Sequence, residues 1–398
     1  MMLGKAQAIK PFIVNIRRTI HRHPELGYQE FNTSKLIAKQ LDKLGVSYQT
    51  GLAKTGIVAE ITQGSGPTIL VRADMDALPI QEHSGIDFQS ATPGVMHACG
   101  HDTHTAMLLG AIKLLTNETF NGTIRFMFQP AEEGNYDDPD GFSGAQRMIA
   151  EGVTNNVDAA IGLHQMPTMP TGTIAVTTGT VMAAADFFEI TIAGKSTHAG
   201  VSPEAGIDAV VIAAELILSL QTIVSRHIKA SDTAVVSVST IEGGSTANVL
   251  AEKVRLTGTV RALNEATHQK ILKLMTSRCN AFAAMYNTSI DFHLYYSVPV
   301  TVNAAEISKV ATVSATSIFG ERNIAEGVSI MGGEDFGYIA QIVPSCFALL
   351  GTRVTSGEAH PLHSPKMVIN EDALPLGTAY LTQTALDLLC AFDKNKTD

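Results

Sequence analysis

The pattern of apolar and polar positions changes twice along the chain. In the first half, compact apolar runs at residues 56–61, 68–75, 123–129 and 159–164 read as strands covered on both faces. They alternate with stretches of helical period, 30–44 closed by Gly45 and 103–115 with Asp102 or Thr103 as N-cap. Strand, helix and strand in that order predict an α/β layer around a largely parallel sheet. Near Ala185 alternation takes over: residues 187–193 and 254–261 read as strands with one wet face, beside further strands at 234–240 and 289–296 and long helical patterns at 207–224 and 266–285. After Tyr296 the first pattern returns, with a helix over 304–319, an apolar run at 346–351 and a last helix over 372–389. The expected fold class is therefore α/β, a mixed, largely parallel sheet in a discontinuous domain of residues 1–184 and 297–398. An α+β sandwich of residues 185–296 is inserted into it.

Composition supports this picture and narrows the partners. A chain of 398 residues, 45% hydrophobic and 17% charged, has material for two cores and too little charge for disorder. With 28 Lys and Arg against 38 Asp and Glu, the net charge of −10 disfavours a nucleic acid partner. The apolar run at 209–214 stops at a charge well short of the roughly 20 residues that cross a bilayer, and the N-terminus shows no signal-peptide core. The expectation is a soluble, cytoplasmic protein with no membrane partner. Four cysteines in so long a chain, Cys99, Cys279, Cys346 and Cys390, form no disulfide framework, which leaves at least one free for other chemistry.

The region richest in chemistry is His97-Ala98-Cys99-Gly100-His101-Asp102, at a turn that opens a helix. Thiolate and imidazole two residues apart suit a first-row divalent metal; a buried cysteine beside a packing histidine is the structural alternative. Glu132 and Glu133 follow the strand at 123–129, where adjacent carboxylates are costly to desolvate unless a cation is near; a solvated acidic turn would explain them equally. Asp76 and His164 also end strands. In an open parallel sheet all these residues emerge along the edge where ligands bind. His363 comes from the last third, where periodicity does not place it. His21 and His23, closing the first helical stretch, read as partners of free helix-end carbonyls.

Together these residues resemble the M20 metallopeptidase and amidohydrolase family, and its aminoacylase branch in particular. The resemblance rests on His21-Arg22-His23-Pro24-Glu25-Leu26, Arg72-Ala73-Asp74-Met75-Asp76-Ala77-Leu78-Pro79, the His97 to Asp102 motif and Gln129-Pro130-Ala131-Glu132-Glu133-Gly134. It continues through Gly162-Leu163-His164, Gly194-Lys195-Ser196-Thr197-His198-Ala199, Ala247-Asn248-Val249, Gly258-Thr259-Val260-Arg261, Gly332-Gly333-Glu334-Asp335-Phe336 and Leu362-His363-Ser364-Pro365. The resemblance implies two divalent ions (Zn, Mn, Co or Ni) on Cys99, His101, Glu133, His164 and His363, with Glu132 as the general base toward a metal-activated water. Asp76 falls on the acidic residue that orients a ligating histidine. His198 falls on a hydrogen-bond donor to the tetrahedral intermediate, and Asn248 and Arg261 fall on substrate-binding positions.

The implied reaction is hydrolysis of the amide bond of an N-acyl amino acid or a related small amide. Dipeptides and N-acetyl-diaminopimelate are alternative substrates. The implied assembly is a homodimer through the inserted domain, with His198 serving its own or the neighbouring site. Two other readings compete: a cysteine hydrolase with Cys99 as nucleophile and His101 as base, and a non-catalytic metal-binding protein on the same fold.

Overall fold

A computed structural model of the chain describes residues 1–134 and 138–393. The chain forms two compact units. The larger takes in Met1–Val181, Val302–Val328 and the chain from Asp335 on; the smaller takes in Met182–Thr301 and Ser329–Glu334. The sequence pattern places the insertion at 185–296. The observed unit extends a few residues beyond both of those limits and adds the short excursion at Ser329–Glu334, which lies far away in sequence and has no periodicity of its own. Strands are numbered in chain order; β7 (Gly179–Met182) and β12 (Thr301–Asn303) are the segments by which the chain leaves the larger unit and returns.

In the larger unit the sheet order is β1 (Ser47–Leu52), β2 (Gly56–Gln63), β4 (Gly122–Gln129), β3 (Thr68–Asp74), β5 (Ala159–Pro170), β14 (Ser345–Arg353), β6 (Ile174–Ala175) and β13 (Ile324–Ala325). The middle strands β4, β3, β5 and β14 run parallel, while β1 and β2 extend one side antiparallel. Residues 69–74 of β3 are buried without alternation, as expected of a strand covered on both faces. The helix His101–Leu115 is likewise buried almost all round, and its Leu108 and Ile112 join Ile13, Ile161 and Leu388 in one apolar cluster. Its N-cap is Gly100, with φ 91°, rather than Asp102 or Thr103, both of which lie inside the helix and are buried. Topology thus brings the C-terminal ends of four parallel strands to one edge, the edge where open α/β sheets hold ligands.

The smaller unit is antiparallel throughout, in the order β11 (Ile290–Val298), β8 (Ala184–Ala193), β10 (Lys253–Ala262) and β9 (Ala234–Gly243). Along β10, Val254, Leu256, Val260 and Ala262 face the core and alternate with Arg255, Thr257 and Arg261. Two helices cover the inner face. Ala209–His227 is capped by Asp208, Glu265–Tyr286 is capped by Asn264, and Leu216, Leu220, Ile271 and Met275 join Ile190 and Leu256 in the second core. The helix Ala209–His227 has the length and hydropathy of a membrane span, yet buries a stripe at Ile212, Leu216, Leu220 and Ile223 in that core.

Candidate active site

Side chains from the middle of β5, from the turn that opens the helix His101–Leu115 and from the loops after β3 and β4 meet in one cluster in the larger unit. The turn at Gly100 is so tight that a Cβ there would lie 2.5 Å from Gln165 Nε2. Gln165 in turn donates to the Cys99 carbonyl at 2.7 Å and accepts from the Thr352 hydroxyl at 2.7 Å. This holds Cys99 and His101 on either side of a fixed bend. From β5, His164 donates Nδ1–H to the Gln165 carbonyl at 2.6 Å, which leaves Nε2 as a lone pair 3.4 Å from Cys99 Sγ. His363 lies in a loop with φ 63°, fixed by its N–H to the Ala98 carbonyl at 2.9 Å, and its Nε2 is 3.2 Å from Glu133 Oε1.

Asp76 provides the orientation. Its Oδ1 is 3.0 Å from His101 Nδ1, and its Oδ2 accepts the Glu133 N–H at 2.9 Å. With Nδ1 engaged, His101 Nε2 points inward, 3.9 Å from Glu132 Oε2 and 3.8 Å from Glu133 Oε1. It has no hydrogen-bond partner among the described residues although the side chain is fully buried. A buried imidazole nitrogen without a partner is costly in a packed core. The arrangement is that of a metal-ligating histidine whose other nitrogen is held by a carboxylate.

The electrostatics point the same way. Burial disfavours the His101 imidazolium, but the Asp74, Asp76 and Glu133 carboxylates outweigh it and lift the pKa to about 10. Burial, then Glu133, Glu132 and Asp74, push the Cys99 thiol well above its ordinary range, and burial with His104 holds His164 down to about 3. Burial works against the Glu133 carboxylate, yet His363 and His101 hold its pKa down. Carboxylates crowded around a buried thiol form a site that a divalent cation would relieve. In the absence of a cation the same crowding works against the cysteine-nucleophile reading, because an activated thiol needs a lowered pKa. The imidazole in hydrogen-bond reach of Cys99 is that of His164, at 3.4 Å, whereas His101 Nε2 makes no hydrogen bond among the described residues.

Two triads, Cys99–His101–His164 and Cys99–Glu133–His363, have ligand atoms within 4.8 Å of one another and share the sulfur. The mixed S, N and O donor set fits divalent ions such as zinc. His104, by contrast, is not left with a vacant nitrogen. It bonds Asp74 at 2.6 Å through Nδ1 and accepts the Gln165 N–H at 2.9 Å through Nε2. Glu132 is buried beside the cluster, and its Oε1 accepts the Asp335 N–H at 3.3 Å.

The remaining sequence candidates belong to the smaller unit. His198 pairs in a bridge with Val249, next to Asn248, whose carbonyl accepts the Ala199 N–H at 2.9 Å; His198 Nδ1 accepts the Gly200 N–H at 3.2 Å. Arg261 lies over the Phe187 ring at 5.4 Å, and burial lowers its pKa.

A further assignment changes. His21 does not partner helix-end carbonyls: it is buried between Asp102 at 2.9 Å and Glu82 at 3.2 Å, with Arg17 donating to Asp102 at 2.7 Å. Burial opposes protonation of His21, but Asp102 and Glu82 raise its pKa overall. The network fastens the helix Lys10–Arg22 to the first turn of His101–Leu115. A signal for it was present: Arg17 and His21 fall on the same face as Ile13, Ile16 and Ile20, where polar residues demand buried partners.

Known proteins are similar to this chain over nearly its whole length. An IAA-amino acid hydrolase of Arabidopsis thaliana is 39% identical over 395 residues, covering 97% of this chain and 87% of that protein. An N-acetylcysteine deacetylase of Bacillus subtilis is 36% identical, covering 95% and 97%. Among solved structures, a putative aminohydrolase from methicillin-resistant Staphylococcus aureus superposes with TM-score 0.89 at 34% identity, covering 98% of this chain and 99% of that one. A Bacillus subtilis protein described as a dinuclear metal-binding peptidase of the M20 family gives TM-score 0.81 at 34% identity, covering 96% and 99%. The model of peptidase family M20/M25/M40 matches residues 70–387, and the chain belongs to that family of amide-bond hydrolases.

Proposed function

We propose that Cys99, His101, Glu133, His164 and His363 hold two divalent ions, and that Glu132 is the general base in hydrolysis of an N-acyl amino acid or a related small amide. The observation that carries this reading is the pair of triads sharing Cys99, with the Glu132 carboxylate beside them. Bound divalent ions would supply acidified water and an electrophile for the scissile carbonyl. Glu132, anchored by the Asp335 N–H on one oxygen and facing His101 with the other, takes the proton from the attacking water and delivers it to the leaving nitrogen. Asp76 keeps His101 in the tautomer that presents Nε2.

Substrate contacts are assigned to the smaller unit. Arg261 is partly buried and makes no ion pair among the described residues, which favours an anionic ligand such as a substrate carboxylate, with Asn248 as a second contact. His198 engages Nδ1 and keeps Nε2 for a hydrogen bond to the developing oxyanion. The names of the Arabidopsis and Bacillus relatives support amino acid amides as the substrate class, and two carboxypeptidases of Saccharolobus solfataricus, each 38% identical, keep dipeptides within it. A homodimer through the smaller unit is supported by the edge position of β9 and its exposed Ile241.

The decisive variant is Glu132→Gln. It is expected to lose about a thousandfold in kcat while retaining its metal, and near-normal turnover in folded, metal-loaded protein would remove Glu132 as the base.

A further inference from the structure

The turn that carries Glu132 has an unusual backbone, and the side chain that fixes it belongs to none of the site motifs. Ala131, immediately before Glu132, has φ 47°, a left-handed conformation that costs a non-glycine residue on the order of 1–2 kcal/mol. Something must hold it. Its carbonyl accepts the Gly144 N–H at 3.0 Å, and its N–H donates to Glu30 Oε1 at 2.9 Å. Both polar groups of this residue are thus tied to segments distant in sequence.

Glu30 is placed to do this and little else. It stands at the N-cap of the helix Phe31–Leu44, yet its side chain makes no capping bond there. It is fully buried and reaches across to Ala131, while its Oε2 accepts the Thr55 hydroxyl at 2.6 Å. The helix gets its N-terminal partners from Glu25 instead, which accepts the Asn32 N–H at 3.0 Å and the Thr33 N–H at 2.9 Å. Sparing Glu30 from capping frees its carboxyl for the turn.

The surroundings are shaped to receive it. A Cβ at Gly27 would lie 3.1 Å from Ala131 Cα and 3.2 Å from the Gly134 carbonyl oxygen, closer than ordinary side-chain contacts, so glycine lets the 25–30 segment lie close on the turn without displacing it. A Cβ at Gly144 would lie 1.6 Å from the Pro130 carbonyl oxygen. The same segment holds the neighbouring site loop as well: the Ala77 N–H donates to the Glu25 carbonyl at 2.8 Å, and Leu26 bridges Ala77 one residue after Asp76.

We infer that Glu30 is a positioning residue for the reaction: by accepting the Ala131 N–H it locks the left-handed turn that aims the Glu132 carboxylate at the cluster. The inference rests on the reading of Glu132 as base. Burial, and then the negative charge of Asp76, raise the pKa of the Glu30 carboxyl to about 8, which favours the neutral acid. Glutamine reproduces that neutral group with an acceptor oxygen in the same place.

The test compares Glu30→Ala, Glu30→Asp and Glu30→Gln with Glu132→Gln, following kcat, KM, bound metal and amide hydrogen exchange at Ala131. Glu30→Ala removes the acceptor, and Glu30→Asp keeps a carboxylate one methylene too short to span Thr55 and Ala131. Both are expected to lose about 10-fold to 100-fold in kcat, with KM and metal content little changed. Ala131 exchange should rise by about tenfold, the loss of one buried hydrogen bond. Glu30→Gln should stay near wild type in both readouts. If Glu30→Ala does not fold, Glu30→Asp against Glu30→Gln decides the matter alone. Wild-type exchange at Ala131 in the shortened variant, or equal damage from glutamine and aspartate, would overturn the inference. Full turnover in Glu132→Gln would sink the base assignment instead, and the exchange measurement would still judge Glu30.

Discussion

His101 in the larger unit and His268 in the smaller one share a description: both are buried, and both bond an aspartate. They differ in what is left over. His268 meets Asp186 at 2.6 Å through Nε2 and Glu265 at 3.3 Å through Nδ1, while the second oxygen of Asp186 accepts the Ser297 hydroxyl at 2.6 Å. Every atom is used, and the pair ties the helix Glu265–Tyr286 to β8 and β11. His101 spends Nδ1 on Asp76 and keeps Nε2 without a hydrogen-bond partner, aimed at Cys99 and the two glutamates. A buried histidine–carboxylate pair therefore marks a ligand site only when the second nitrogen has nowhere to go, and His104, saturated a turn away, makes the same point.

Breaking the two pairs should separate them. The largest effect on stability is expected from Asp186→Ala, which strands His268 in the core of the smaller unit. The cost should be about 3–5 kcal/mol, read by denaturant unfolding. Asp76→Ala should act on the metal instead, weakening its affinity about 10-fold to 100-fold by titration, because His101 loses its orientation. A metal affinity equal to wild type would place His101 outside the ligand set.

The smallest effect is in pH. Burial lowers the His268 pKa, but Asp186 and Glu265 outweigh it and raise it above the ordinary value. A raised folded-state pKa gives stability that is complete below the unfolded value of about 6.5 and is lost as pH climbs through the folded one. The stability gap between wild type and His268→Gln should accordingly narrow as pH rises above about 6.5; a gap that widens would mean that the neutral imidazole is the stabilising form.

These contrasts also explain what could be read from sequence. Runs such as 69–74 and the alternation in β10 are local, so the α/β body and the antiparallel insertion follow from periodicity. The two-residue strands β6 and β13 and the excursion Ser329–Glu334 are too short to carry a period. At the site, Cys99, His101, Glu132 and Glu133 stand beside strand and helix ends, where pattern and chemistry coincide, whereas His164 lies midway along β5 rather than at its end, because that strand runs on to Pro170. His363 is held by a single backbone bond to Ala98 in a loop with no period, and only the family motif pointed to it. Glu30 looked like a residue at a helix start, since nothing local shows that its carboxyl crosses to Ala131. Asp102 looked like an N-cap for the same reason, although Arg17 and His21, its partners, were visible as polar residues on an apolar face.

The most direct test of the central claim is the metal content of purified, dialysed protein, measured by elemental analysis alongside turnover of an N-acyl amino acid. A dinuclear site requires about two divalent ions per chain, with turnover that disappears on chelation and returns when metal is restored. Undiminished turnover in protein stripped to far less than one ion per chain would contradict it.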